Sequence, residues 1–254
     1  MPRTRLDTLL VQRGLAPSRE RARAIILAGL VSVEGVIVSK AGALVGADAT
    51  IALAQPDHPY VGRGGVKLAH ALDSFHLEVS GREALDIGAS TGGFTDVLLR
   101  RGAARVVALD VGRGQLDWRL RTDPRVTVIE GRNARYLEPG DLPGPVDIVT
   151  VDVSFISLRH ILPRIPPLVR HGADVVVLVK PQFEAGREEV GKKGLVRDPL
   201  VHRQVVDRVT RAALEAALVR VGVAASPITG ATGNQEFFLH LKPEQDVIGL
   251  ETRP

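Results

Sequence analysis

Lys67, Asp152, Lys180 and Glu236 stand far apart in the chain, yet each falls where an α/β sheet would deliver a side chain into one cleft. Two amines and two carboxylates around one point suit the removal of a proton from a weak nucleophile, such as a ribose 2′-hydroxyl, while a methyl group is delivered to it. A free lysine is protonated near neutral pH and cannot take that proton. Burial and a second ammonium both disfavour a charged amine, so Lys67 beside Lys180 is expected to favour the neutral, proton-accepting form of one of them. Asp152 and Glu236 would hold the lysines in place and at the same time oppose that effect. The residue types alone leave the balance open, and strand-end charges of this kind also occur as structural ion pairs.

The second chemical signal is the loop DIGASTGGF, in which Asp86 closes an apolar strand and Gly88, Ala89, Ser90, Thr91, Gly92, Gly93 and Phe94 turn into a helix. Glycines there let backbone come close to a ligand, and the helix start offers free N–H groups. The spacing D-x-G-x-x-x-G-G differs from the usual dinucleotide fingerprint, and Asp110, after the strand RVVALD, is placed for the ribose diol of either kind of cofactor. Hydride transfer would call for a His or Tyr at a strand end. Asp152 after VDIVTV and Lys180 after VVVLV stand there instead, which favours S-adenosylmethionine.

These groups need a scaffold, and the segments supply one. ALDIG, RVVALD, RVTVIE, VDIVTVD and DVVVLVK read as buried strands separated by helices over TDVLLRRG, GQLDWRL and ISLRHILPRI, with a long helix from about Pro199 to Val221. The pattern predicts a Rossmann-like α/β methyltransferase fold, a mostly parallel sheet whose last two strands, in VGVAASPITGATGNQEFFLHL, form an antiparallel hairpin. Lys67 lies in GVKLAHALDSF, on a different side from the stripe Leu68, Leu72 and Phe75.

The first 25 residues carry six arginines against Asp7 and Glu20. Leu6, Leu9, Leu10 and Leu15 are spaced for one helical face, Pro17-Ser18 opens a second helix that Gly29 ends, and VSVEGVIV reads as a hairpin about Glu34-Gly35. A small α+β domain at 1–55, a proline- and glycine-rich linker at 56–65 and a catalytic domain at 66–254 are therefore expected. Arg63, in that linker, either touches RNA or solvates the hinge.

RLDTLLVQRGLAPSRERARAIILAGLVSVEGVIV resembles the S4 RNA-binding domain. That resemblance implies RNA contact around the second helix, through Arg19 and Arg23, with Arg3 and Arg5 nearby. RGGVKL, DIGASTGGFTDVLL, DVGRGQLDWRLRTDPRV, NAR, DVSFISL, LVKPQFEAGREEVGKKG and SPITGATGNQEFFL resemble the TlyA family over nearly the whole chain. The family comprises ribosomal RNA cytidine 2′-O-methyltransferases, historically called hemolysins, with an FtsJ-like catalytic domain. The resemblance implies that Lys67, Asp152, Lys180 and Glu236 form a Lys-Asp-Lys-Glu tetrad with Lys180 as base. It also implies that Gly88 to Phe94, Asp110 and Asn133 hold S-adenosylmethionine, and that ribosomal RNA or a ribosomal subunit, 23S first, is the partner. Gly62 departs from the serine many relatives carry before Arg-Gly-Gly.

Composition narrows the alternatives. The 254-residue chain contains no cysteine, which excludes disulfides and Cys-ligated metals, and its histidines show no metal-ligand spacing. No run approaches the roughly 20 apolar residues of a membrane span, and the start lacks the pattern of a secretory signal, so a cytoplasmic protein without membrane or metal partners is expected. The oligomeric state is left open. An RNA-binding assembly factor that uses the same fold as a docking platform is the alternative, as is, for the hemolysin name, membrane insertion. FEAGREEVGKKGLVRDP reads as a flap over the substrate or an ordinary surface loop. Arg113, Arg119, Arg121, Arg125, Arg132 and Arg135 extend an RNA footprint or, as favoured here, carry solvated charge; Trp118 is expected in the core rather than on an adenine.

Overall fold

The computed structural model describes residues 3–16, 18–27, 29–53 and 58–251, and the side chains of all of these except 187 and 248–251. Pro17 and residues 56 and 57 of the expected linker lie outside the described residues. The chain divides into two compact units, Met1–Arg63 and Gly64–Pro254.

The small unit contains β1 (Arg3–Arg5), α1 (Leu6–Gln12), α2 (Arg19–Leu27), β2 (Val31–Val33), β3 (Val36–Ile37), β4 (Leu44–Gly46) and β5 (Ile51–Leu53). Leu6, Leu10, Ala22, Ile26 and Val31 make its core, with Leu15 packed at the margin. Ser18 Oγ accepts from the Arg21 N–H and starts α2, while Gly29, at φ +72°, ends it. Glu34 and Gly35 both take positive φ, the geometry of a tight turn between β2 and β3 that matches strand twist.

The large unit runs α3 (Gly64–Ser74), β6 (Glu83–Ile87), α4 (Gly93–Arg100), β7 (Arg105–Asp110), α5 (Trp118–Arg121), β8 (Val126–Glu130), β9 (Val146–Val151), β10 (Val169–Val179), α6 (Pro181–Glu184), α7 (Pro199–Glu215), β11 (Leu218–Ala225), β12 (Phe237–Pro243) and α8 (Glu244–Glu251). Its seven strands lie in the order β11-β12-β10-β9-β6-β7-β8. β6 to β10 are mutually parallel, β12 adds antiparallel to β10 and β11 antiparallel to β12, which bears out the expected sheet with a terminal hairpin. Alternation along the strands explains why both faces are covered. Leu85, Ile87, Val107, Val149, Val175 and Leu239 share a core with Val205 and Val209 of α7, while the intervening residues face the other way. Truncating one such leucine to alanine typically costs about 2 to 5 kcal/mol. Among the described residues, no helix is long and apolar enough to cross a membrane.

Three expected helices differ. ISLRHILPRI forms short 3-10 turns, because Pro163, Pro166 and Pro167 remove the donors an α-helix would need. Of GQLDWRL only Trp118, Arg119 and Leu120 are helical, in the four-residue α5 capped by Asp117. α7 stops at Glu215, where Ala217 takes a φ of +56° and the alternating run that follows pairs as β11. Trp118 is 72% exposed, against the expectation of a core residue; Leu116 and Leu120 supply the buried side of that turn.

Candidate active site

Strand register brings three of the four expected groups to one edge. Val151 of β9 lies opposite Val177 of β10, and Val179 lies opposite Phe237 of β12. Asp152, Lys180 and Glu236 each stand one residue beyond these rungs, so the sheet sets them on adjacent strands at its carboxyl edge. Lys67 arrives from the first turn of α3.

They meet as two ion pairs. Lys67 Nζ donates to Glu236 Oε2 at 2.5 Å. Lys180 Nζ donates to Ser154 Oγ at 2.8 Å and lies 2.6 Å from Asp152 Oδ1. That last contact is close but not aligned as a hydrogen bond, and the buried Asp152 Oδ1 has no aligned donor. The immediate neighbour of each amine is thus a carboxylate rather than, as the sequence suggested, the other lysine. Both members of the second pair are buried: Lys67 is 9% exposed and Glu236 2%. Losing one partner of so buried a pair strands a charge, a cost of about 3 to 5 kcal/mol. Gly230 makes room for it, since a Cβ there would lie 2.3 Å from Glu236 Oε1.

The glycine loop adjoins this edge where strand order reverses, between β6 and β9, the position at which such sheets bind ligands. Gly88 has a φ of +87°, and a Cβ there would lie 2.3 Å from the Asp152 carbonyl oxygen, so no larger residue fits between the two strand ends. A cleft of about 530 Å³ opens here, with Gly88, Ser90, Asp110, Asn133 and Asp152 among its walls and Leu109, Ile156 and Ile161 as its apolar side. Asp110 accepts from the N–H groups of Ser90, at 2.8 Å, and Gly112, at 2.6 Å, and so braces the loop while facing the cleft. Asn133 Oδ1 caps the following turn through the Arg135 N–H.

The remaining loop residues shape the turn rather than line the cleft. Gly92 packs on Leu116 and Leu120, Gly93 on the backbone of Gly64 and Gly65, and Phe94 on Phe238. Ala89 is buried, and the Thr91 carbonyl accepts from the Asp117 N–H. Asp86 points into the core, where it accepts from the hydroxyls of Thr95 and Thr150, so direct cofactor contact is not its role. Burial pushes its carboxyl up to about 7, against the pull of those two hydroxyls. An acid at the wall, a tight glycine turn and an apolar slot in a cleft of this size fit S-adenosylmethionine.

Phe155 and Ser154 were not singled out in the sequence. Phe155 is 91% exposed, has a φ of +63° and tilts against Phe183 at 5.1 Å, at the mouth of the cleft. A bulky residue held in that conformation marks a strained site, a signal visible only in coordinates. A second cleft, of about 540 Å³, lies at the opposite ends of the strands around Asp174. Asp174 is satisfied there by Arg82, His240 and Lys242, so that cleft is built on a structural ion cluster.

Elsewhere, Arg3, Arg5, Arg19, Arg23 and Arg63 are all exposed. Arg119, Arg121, Arg125 and Arg132 pair with Asp117, Glu130, Asp123 and Asp141, in line with local, solvated charge. The charged segment after Lys180 is tethered: Glu189 pairs with Arg208 of α7, and Asn234 accepts from the Val196 N–H and donates to the Gly194 carbonyl, both at 2.8 Å. No group of three or more His, Cys, Asp or Glu suited to a metal occurs among the described residues.

Comparison with known proteins gives the same outline. The FtsJ-like methyltransferase model matches residues 60–243 and the S4 domain model residues 4–51. The chain is 49% identical over 245 residues to the 16S/23S rRNA (cytidine-2′-O)-methyltransferase TlyA of Mycobacterium tuberculosis, covering 96% of this chain and 91% of that one. It is 42% identical to Hemolysin A of Brachyspira hyodysenteriae, covering 93% and 98%. A solved structure of a hemolysin-named protein from Streptococcus thermophilus superposes with a TM-score of 0.75 at 45% identity, over 96% of this chain and 89% of that one.

Proposed function

This chain belongs to the FtsJ-like methyltransferase family, in its S4-bearing TlyA branch, and from that premise we propose that it methylates the ribose 2′-hydroxyl of a cytidine in ribosomal RNA. The observation that carries the proposal is the pairing of Lys180 with Asp152 and Ser154, and of Lys67 with Glu236, beside a cleft shaped for a nucleoside cofactor. S-adenosylmethionine, held by Asp110, Asn133 and the loop from Gly88 to Ser90, supplies an electrophilic methyl group when bound. Ribosomal RNA, with 23S the first target to test, is the substrate, and a ribosomal subunit as partner implies a cytoplasmic reaction.

The chemistry assigned to the chain is positional and acid–base. Lys180 Nζ, in its neutral form, accepts the hydroxyl proton, and Asp152 and Ser154 hold that amine at the strand end. Lys67, fixed by Glu236, orients the ribose from the opposite element. Aligning the two reactants contributes up to about 7 to 11 kcal/mol, more than proton removal alone supplies. Phe155 offers an exposed ring of the kind on which unpaired bases stack.

The test is transfer of label from methyl-labelled S-adenosylmethionine to large and small ribosomal subunits, followed by mapping of ribose methylation. Methylation of a cytidine ribose is expected. Tight subunit binding without transfer would leave the fold as a docking platform and overturn the enzymatic reading.

A further inference from the structure

The arginines of the small unit do different jobs. Arg13 belongs to the fold: its guanidinium donates to the carbonyl oxygens of Ala47 and Ala49, both at 2.6 Å, and clamps the turn between β4 and β5. Arg5, Arg19 and Arg23 instead meet on one carboxylate. Asp7, at the start of α1, is wholly buried. Arg5 grips it as a fork, Nε to Oδ1 at 3.0 Å and Nη2 to Oδ2 at 2.7 Å, while Arg19 Nη2 and Arg23 Nε reach Oδ2 at 3.4 Å each. The Thr8 hydroxyl donates to Oδ1 at 3.3 Å. The fork from Arg5, assisted by Arg19, holds the Asp7 carboxyl well below the usual carboxylate range.

The anion therefore lies beneath and the cations above. The side chains of Arg5, Arg19 and Arg23 are 44%, 52% and 56% exposed, while that of Asp7 is at 0%. Three guanidiniums carry about fifteen N–H donors, and Asp7 engages only a few of them. Three cations around Asp7, with Glu20 the other acid near Arg19 and Arg23, also leave the patch net positive. Gly42 protects the arrangement, because a Cβ there would come within 2.9 Å of Arg5 Nη1.

We propose that Asp7 is a positioning residue that gathers Arg5, Arg19 and Arg23 into a preformed receptor for a backbone phosphate of RNA. The proposal rests on the reading of this unit as RNA-binding. Separately solvated, the three guanidiniums would repel one another and each would lose rotamer freedom on meeting the phosphate. Anchored on Asp7, they are ordered when the unit folds, and their remaining N–H edges point outward in the geometry that phosphate accepts.

Simple electrostatics and this proposal predict opposite signs for one substitution. Asp7→Asn removes a negative charge from beneath a cationic patch, which by charge alone tightens RNA binding and steepens its salt dependence. If Asp7 organises the patch, the full-length Asp7→Asn variant binds large ribosomal subunits about tenfold more weakly, and its log–log salt slope falls by about one to two. KM for subunits then rises while kcat at saturation is kept. Arg5→Lys, which preserves net charge and Asp7 but loses the fork, is expected to weaken binding several-fold, and decides the question if Asp7→Asn does not fold. Equal or tighter binding by a folded Asp7→Asn variant, or wild-type binding by Arg5→Lys, would overturn the proposal. The paired change of Arg19 and Arg23 to Ala separates the two layers. Unchanged affinity there refutes RNA binding by this unit, whereas a loss there without one in Asp7→Asn refutes only the positioning role.

Discussion

Asp86 shows how one residue can serve a site without touching what binds there. Its carboxylate is sealed between Thr95 and Thr150, on the face of the sheet that meets α4, directly below the glycine loop. The consequence for stability follows from its weakened acidity. The unfolded chain releases this proton near pH 4 and the folded chain near 7, so between those values the folded state holds more protons and stability falls as pH rises. Asp86→Asn is therefore expected to flatten the pH dependence of urea unfolding between about pH 4 and 7, with its gain over wild type greatest above 7. A slope unchanged in that window would show that Asp86 ionises normally in the fold. The glycines that matter are equally specific. Gly88→Ala places a methyl group against the Asp152 carbonyl at a positive φ, and loss of S-adenosylmethionine binding in calorimetry is the expected result.

At the scale of elements, the turn before β12 couples two parts of the site. Asn234 is 1% exposed and ties residues 194 and 196 to the turn that carries Glu236, through hydrogen bonds at 2.8 Å. Asn234→Ala leaves a buried N–H and a carbonyl without partners, at about 1 to 3 kcal/mol. The segment from Gly186 to Val196 should then become the first place cut in limited proteolysis, and the methylation rate should fall even though Asn234 touches no reacting group. Protection equal to wild type would argue that Arg208 and Glu189 alone hold the segment. Periodicity identified the strands of the parallel sheet because both faces are buried and their apolar runs are nearly continuous. It overran at α7 because the helical stripe passes into the alternating pattern of β11 with only Ala216 and Ala217 between them. It also took three prolines within ISLRHILPRI and its sequel for tolerable, where they break the hydrogen-bond ladder.

For the molecule as a whole, the amines proposed to be catalytic and the arginine cluster belong to separate compact units. Lys180→Ala is accordingly expected to abolish methyl transfer while leaving affinity for ribosomal subunits within about twofold of wild type, since RNA affinity rests mainly on phosphate contacts, which are proposed for the small unit. Parallel losses in filter binding and in label transfer would refute that division of labour. Acid should act on the large unit through Asp174. Burial alone would raise its carboxyl, but His240, Arg82 and Lys242 hold it well below the ordinary range, so its stabilising pairs persist above about pH 4 and are lost on further acidification.

The linear chain determined the sheet, the glycine turn, the charged strand ends and the basic first helices, because each is written in local periodicity, in residues with special backbone freedom, or in residue type at the end of an apolar run. Folding decided which charges became partners. Lys67 faces Glu236 across 169 positions of sequence, Asp7 collects arginines from β1 and α2, and Phe155 is left exposed at the cleft against Phe183. Pairing of that kind depends on strand register and on the close approach of the Asp152 backbone at Gly88 and of the Glu236 side chain at Gly230, which are properties of packed layers and leave no periodic trace along the chain.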